Sequence, residues 1–182
     1  MPTPGRPQAR TGAARPIVAA CLVASVAALA GCGAGQGEAR TVDDVERGVR
    51  YVVPEGWRVI DGEARSRHGS LLTFRSYDLE GADSQFVAGL PDSVAPQLED
   101  WARQYYMVEG PAARGETTVG GLPATVLTYP VRVRAADPLS KVRYWVVRKE
   151  KRLFVLRYVH PPDAPQADEA SLQSLLTSLS FL

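Results

Sequence analysis

The side chains able to do chemistry are few. Two histidines occur in 182 residues, His68 and His160. His68 sits in Arg65-Ser66-Arg67-His68-Gly69, a polar run that reads as a solvated turn. His160, Asp163 and Asp168 are all suitable metal donors. Pro161, Pro162 and Pro165 explain that segment equally as a rigid loop, so neither a metal nor a cofactor is expected. A nucleophile elbow would need Gly-x-Ser-x-Gly, which the sequence lacks. Gly120-Gly121 runs into Leu122-Pro123 and reads as a turn, not a phosphate-cradling loop. Glu99 and Asp100 are adjacent on a helical pattern and point to different sides. No catalytic residue is expected, and the chain reads as non-enzymatic.

The two cysteines carry a different chemistry. Arg6, Arg10 and Arg15 precede an apolar run from Ile17 to Leu29. A positive start, a short apolar stretch and small residues at its end form the layout of a secretory signal. The run is shorter than the ~20 residues that span a bilayer as a helix. It closes on Leu29-Ala30-Gly31-Cys32, which resembles a bacterial lipobox. That resemblance implies diacylglyceryl transfer to the Cys32 thiol, cleavage before it and acylation of the new amino terminus. Val18-Ala19-Ala20-Cys21 matches formally, but only Pro16 and Ile17 would precede it as inserted sequence. Two or more acyl chains hold a protein firmly on a membrane, whereas one holds weakly. Gly33 after Cys32 is not an inner-membrane retention aspartate. The expected location is the outer membrane of a two-membrane bacterium, or otherwise the outer face of the cell membrane.

Composition limits the partners. Loss of residues 1–31 removes three arginines and no acid, leaving 18 basic and 20 acidic residues in 151. A formal charge of −2 supplies no basic excess for general nucleic-acid binding. With Cys32 acylated no cysteine remains for a disulfide or a thiol nucleophile. Residues 33–48 are small and polar and read as a flexible tether. A single domain follows at 49–182.

That domain alternates strand and helix signals. Val49–Val53, Trp57–Ile60, Leu71–Tyr77 and, more briefly, Gln85–Ala88 are expected strands. Val94, Leu98, Trp101, Tyr105 and Val108 recur at helical spacing, with Asp92 or Ser93 as the expected cap. Two hairpins follow, Gly115–Val119 with Ala124–Val133 and Val142–Arg148 with Leu153–Val159. The second is apolar on both faces, the mark of central, covered strands. Leu172, Leu175, Leu176 and Leu179 give a last helix from near Asp168. The expected fold is α+β, an antiparallel sheet of about six strands packed with two main helices.

Three surface features could bind. Arg148, Lys149, Lys151 and Arg152 concentrate charge at a hairpin tip, suited to anionic headgroups or an acidic partner. Trp101, Tyr105 and Tyr106 could line a groove at the helix–sheet junction; Trp101 and Tyr105 are expected in the core and Tyr106 outside it. Arg132 and Arg134 share one face of an edge strand.

The order of these pieces resembles the PsbP-like superfamily, including the DcrB and LpqN lipoprotein families. The resemblance covers about residues 49–182. It rests on Tyr51-Val52-Val53-Pro54-Glu55-Gly56-Trp57, the helix around Trp101 and Val119-Gly120-Gly121-Leu122-Pro123-Ala124. The late hairpin through Tyr158 and Leu179-Ser180-Phe181 complete it. It implies an α/β/α sandwich. Members of the superfamily are mostly accessory or binding proteins, among them a photosystem extrinsic subunit and a Ran-binding relative. They share no catalytic set that could be carried over. The leading expectation is a membrane-anchored interaction or assembly module with an envelope protein as partner. The alternative is a carrier or sensor that holds a small apolar or anionic ligand between sheet and helix.

Overall fold

Glycine and proline punctuation divides the chain into short elements. The computed structural model describes residues 38–182; the signal segment and Cys32 lie outside the described residues. The strands are β1 (Arg40–Asp44), β2 (Val49–Val53), β3 (Trp57–Ile60), β4 (Glu63–Ser66) and β5 (Leu71–Asp78). A short helix α1 (Ser84–Ala88), a 3-10 turn (Asp92–Val94) and helix α2 (Ala95–Tyr105) follow. Then come β6 (Met107–Val108), β7 (Ala113–Val119), β8 (Leu122–Arg132), β9 (Ser140–Lys149) and β10 (Arg152–His160). Helix α3 (Gln166–Ser178) and β11 (Ser180–Phe181) end the chain.

The pairings are antiparallel and form two sheets. The smaller has the order β1-β2-β11; the larger runs β3-β4-β5-β10-β9-β8-β6, with β7 also on β8. Gly120 and Gly121 both have positive φ, which a two-residue type I′ hairpin turn requires. They set β7 on β8 with Val119 opposite Leu122. Glu150-Lys151 turns β9 into β10, with Lys149 opposite Arg152.

Both faces of β9 and β10 are covered, as their apolar pattern requires. On one face Trp145, Val147, Phe154, Leu156 and Tyr158 pack under α3 and the small sheet, against Leu172, Leu175, Leu176 and Tyr51. On the other, Tyr144, Val146, Leu153 and Val155 pack under α1 and α2, against Val94, Leu98 and Ala102. This is an α/β/α arrangement of the α+β class. Its strands are more numerous than the six expected, because short pieces such as Glu63–Ser66 and Met107–Val108 escape a propensity reading.

Three local expectations change. Gln85–Ala88 is helical: Asp83 Oδ1 accepts from the Gln85 and Phe86 N–H groups and caps α1. Neither Asp92 nor Ser93 caps α2, since Asp92 pairs with Arg114 and Ser93 Oγ donates to the Phe86 carbonyl. The stretch read as a tether contains β1, which pairs with β2 and lays Val42 against the core. Without it β2 would present an unpaired edge, and buried backbone groups need partners.

Candidate functional site

Helix α2 covers only part of the sheet face beneath it. Its 11 residues give a length of about 16 Å. On β5 beside the helix Arg75 is exposed, and Thr73 and Tyr77 are half-buried. Alternation along these strands turns Thr73, Arg75 and Tyr77, with Val155 and Arg157, toward α2. Register places Arg75 opposite Val155, Thr73 opposite Arg157 and Tyr144 of β9 opposite Arg157. Arg75 and Arg157 are diagonal neighbours on adjacent strands, a spacing that long side chains bridge.

Trp101 of α2 divides this uncovered region. Its ring stacks on Tyr77 with centroids 6.2 Å apart, and the Arg75 guanidinium lies 4.8 Å from its centroid. On one side is a narrow polar recess of about 50 Å³ bordered by Thr73, Arg75, Tyr144 and Arg157. On the other is an apolar hollow of about 250 Å³ bordered by Tyr77, Leu79, Phe86, Leu98 and Leu153. Trp101 and Val155 border both.

The recess holds polar groups without partners. Tyr144 is 1% exposed, and its hydroxyl has no hydrogen-bond partner among the described residues. The same is true of the buried Arg157 Nε. A buried polar group left unpaired costs about 1–3 kcal/mol. Burial pushes the Tyr144 hydroxyl up to about 12, against the pull of Arg157, so near neutrality it is a protonated donor. Among the described residues neither Arg75 nor Arg157 forms a salt bridge. Arg143 and Arg132, by contrast, pair with Glu169 and Glu109. The guanidiniums rest instead on aromatic rings, Arg157 at 5.8 Å from Tyr105.

The residues singled out from the sequence scatter. Lys149 Nζ donates to the Phe181 carbonyl at 2.8 Å, and Arg148 Nε donates to the Glu150 carbonyl. The Arg152 guanidinium lies over Phe154, and Lys151 Nζ is 3.5 Å from Glu80. Much of the charge at that tip is engaged within the fold. Tyr106 is half-buried in the core under α2, and burial raises its hydroxyl pKa, whereas Tyr105 is 60% exposed. The expected roles of the two tyrosines are exchanged because α2 ends at Tyr105. Tyr106 has φ −140° and ψ 155°, so the helical rotation between them does not apply. Arg132 pairs with Glu109 at the β6 edge, and Arg134 is exposed. Arg75, Arg157 and Tyr144 were missed, although one sign was legible: Arg157 is the lone charge inside Leu153–Val159, a run read as covered on both faces.

His68 also departs from expectation. Only 33% of its side chain is exposed, and its Nδ1 lies 2.9 Å from Oδ1 of buried Asp168. Ser66 Oγ donates to Asp168 Oδ2 at 2.5 Å and accepts from the His68 and Ser70 N–H groups. His160 meets the Tyr158 hydroxyl, and Asp163 is exposed. Serine, histidine and aspartate are thus together, but the carboxylate stands between the other two. A catalytic triad needs the serine on the imidazole. Here His68 Nε2 accepts from Arg67 Nε instead. The cluster ties the β4–β5 turn to the first turn of α3.

No protein-family profile and no curated protein matches the sequence. Solved structures do match. The solution structure of cyanobacterial PsbP (CyanoP) from Synechocystis sp. PCC 6803 aligns with TM-score 0.57 at 15% identity, over 85% of this chain and 99% of that one. A crystal structure from Bacteroides thetaiotaomicron VPI-5482 aligns with TM-score 0.51 at 8% identity, over 81% of this chain and 49% of that one. At such identities the likeness concerns the fold, which is PsbP-like.

Proposed function

We propose that this chain is a membrane-tethered, non-enzymatic binding module of the bacterial envelope. Lipid on Cys32 would hold it to the membrane, and an envelope protein would dock beside α2. The observation that carries the docking is an apolar fringe at one end of the large sheet. Tyr105 is 60% exposed, Met107 48% and Val133 62%, where the two-residue strand β6 leaves the edge thinly covered. Exposed apolar groups clustered at an edge favour a protein partner. The PsbP-like fold and the absence of a serine–imidazole contact in the Ser66 cluster support binding over turnover.

The test is photocrosslinking in intact envelopes from positions 105 and 107, beside a Cys32→Ser variant in detergent partitioning. One discrete adduct, and loss of the variant from the detergent phase, are expected. A wild type that partitions into water would refute the tether, and crosslinks no different from those of an exposed position on α3 would refute the docking edge. A second reading, a carrier for a small ligand, is favoured by the unpaired groups of the recess next to the apolar hollow.

A further inference from the structure

We infer that the space between α2 and strands β5, β10 and β9 binds an anionic amphiphile, a carboxylic acid with a short hydrocarbon body. Its head would sit on Arg75, Arg157 and the Tyr144 hydroxyl, and its body in the hollow beyond Trp101. The inference rests on the carrier reading and adds the class of ligand.

The recess selects the head. Two guanidiniums with no carboxylate partner among the described residues and a buried hydroxyl without an acceptor present donors, and no acidic side chain borders the recess. Arginine and tyrosine hydroxyls both donate to a carboxylate, and arginine cannot shed its charge. A recess of about 50 Å³ is small, which suits a compact head such as a carboxylate. The hollow selects the body. It is bordered by Leu79, Phe86, Leu98 and Leu153, and its 250 Å³ lies below the usual range for drug-sized ligands. Because Trp101 and Val155 border both spaces, one molecule lying along the Trp101 edge reaches each of them. The occupant would give Tyr144 Oη and Arg157 Nε the partners they lack.

Calorimetric titration of the full chain with octanoate, octanol and inorganic phosphate separates head from body. Octanoate is expected to bind at least about tenfold more tightly than octanol, which lacks the charged acceptor, and than phosphate, which has no hydrocarbon body to bury. Arg75→Gln and Tyr144→Phe should each weaken octanoate binding about tenfold. Arg75 is exposed, so its variant keeps the core, and Tyr144→Phe removes an unpaired hydroxyl and should leave the melting temperature unchanged or raised. Octanol binding as tightly as octanoate would overturn the acid head while leaving a carrier in place. Phosphate binding as tightly would overturn the apolar body. No binding of octanoate or octanol would overturn both the inference and the carrier reading. A Tyr144→Phe variant that melts lower yet binds octanoate normally would assign the hydroxyl to folding and refute its role here.

Discussion

Replacing Asp168 by alanine removes the acceptor on which two segments converge. The side chain is 5% exposed, takes the Ser66 hydroxyl at 2.5 Å and faces His68 Nδ1 at 2.9 Å. A hydrogen bond to a charged group contributes about 1.5–3 kcal/mol net, and the buried Ser66 bond counts in full. The His68 contact is partly solvated and is worth roughly 0.5–1 kcal/mol. Asp168 also lies in the first turn of α3, where a negative charge adds about 0.5 kcal/mol. Asp168→Ala should therefore lower stability by about 3 kcal/mol. Asp168→Asn keeps one acceptor oxygen and should cost about half as much. The pH dependence is a second readout. Burial pushes the Asp168 carboxyl up, but the donors around it, Ser66 first and then Ser70 and His68, outweigh that and hold it below the usual carboxylate value. The folded state thus keeps the carboxylate charged to lower pH than the unfolded chain does. The contribution is complete above the unfolded value and is lost as pH falls through the lower folded one. Urea unfolding followed by tryptophan fluorescence, at about pH 7 and about pH 3, measures both. A loss under about 0.5 kcal/mol at neutral pH, or a gap between wild type and Asp168→Ala that widens on acidification, would refute the account.

Two further substitutions probe the packing. Gly120→Ala would place its Cβ 2.7 Å from the Leu179 carbonyl oxygen and 2.9 Å from Phe181 Cε2, at φ +55°. It should cost about 1–3 kcal/mol and lower the urea midpoint more than Gly121→Ala, whose Cβ meets nothing within 4 Å. Leu172→Ala empties a fully buried position of α3 and should cost about 2–5 kcal/mol in the same assay, with the far-UV spectrum retained.

Local rules explain why much of the architecture was readable. The turn at Gly120-Gly121 needs two residues at positive φ, and glycine supplies them without a steric penalty. The spacing of Leu172, Leu175 and Leu176 is that of a helix with one buried stripe, and the apolar runs Tyr144–Val147 and Leu153–Leu156 are those of a hairpin covered on both faces. The errors also have local causes. Gln85–Ala88 has the residue types of a strand, but the Asp83 carboxylate captures two N–H groups and starts a helix. Residues 40–44 lack strong strand character, and pairing along Val49–Val53 orders them.

The candidate site was the least legible part, because its members are far apart in the chain and ordinary in type. Arg75, Trp101, Tyr144 and Arg157 come from four elements, and none sits in a motif. Turn chemistry, hydrophobic period and the α+β class depend on neighbours within a few residues and could be read along the chain. The site took shape with the packing of the layers. Strand register set Arg75 diagonal to Arg157, and the packing of α2 left Arg75 exposed and Arg157 half-buried. The folding of α3 onto the β4–β5 turn drew His68 to a buried carboxylate a hundred residues away. Hydrogen bonds and burial act through space, so which polar group finds a partner, and which is left waiting for one, is settled only when the layers close.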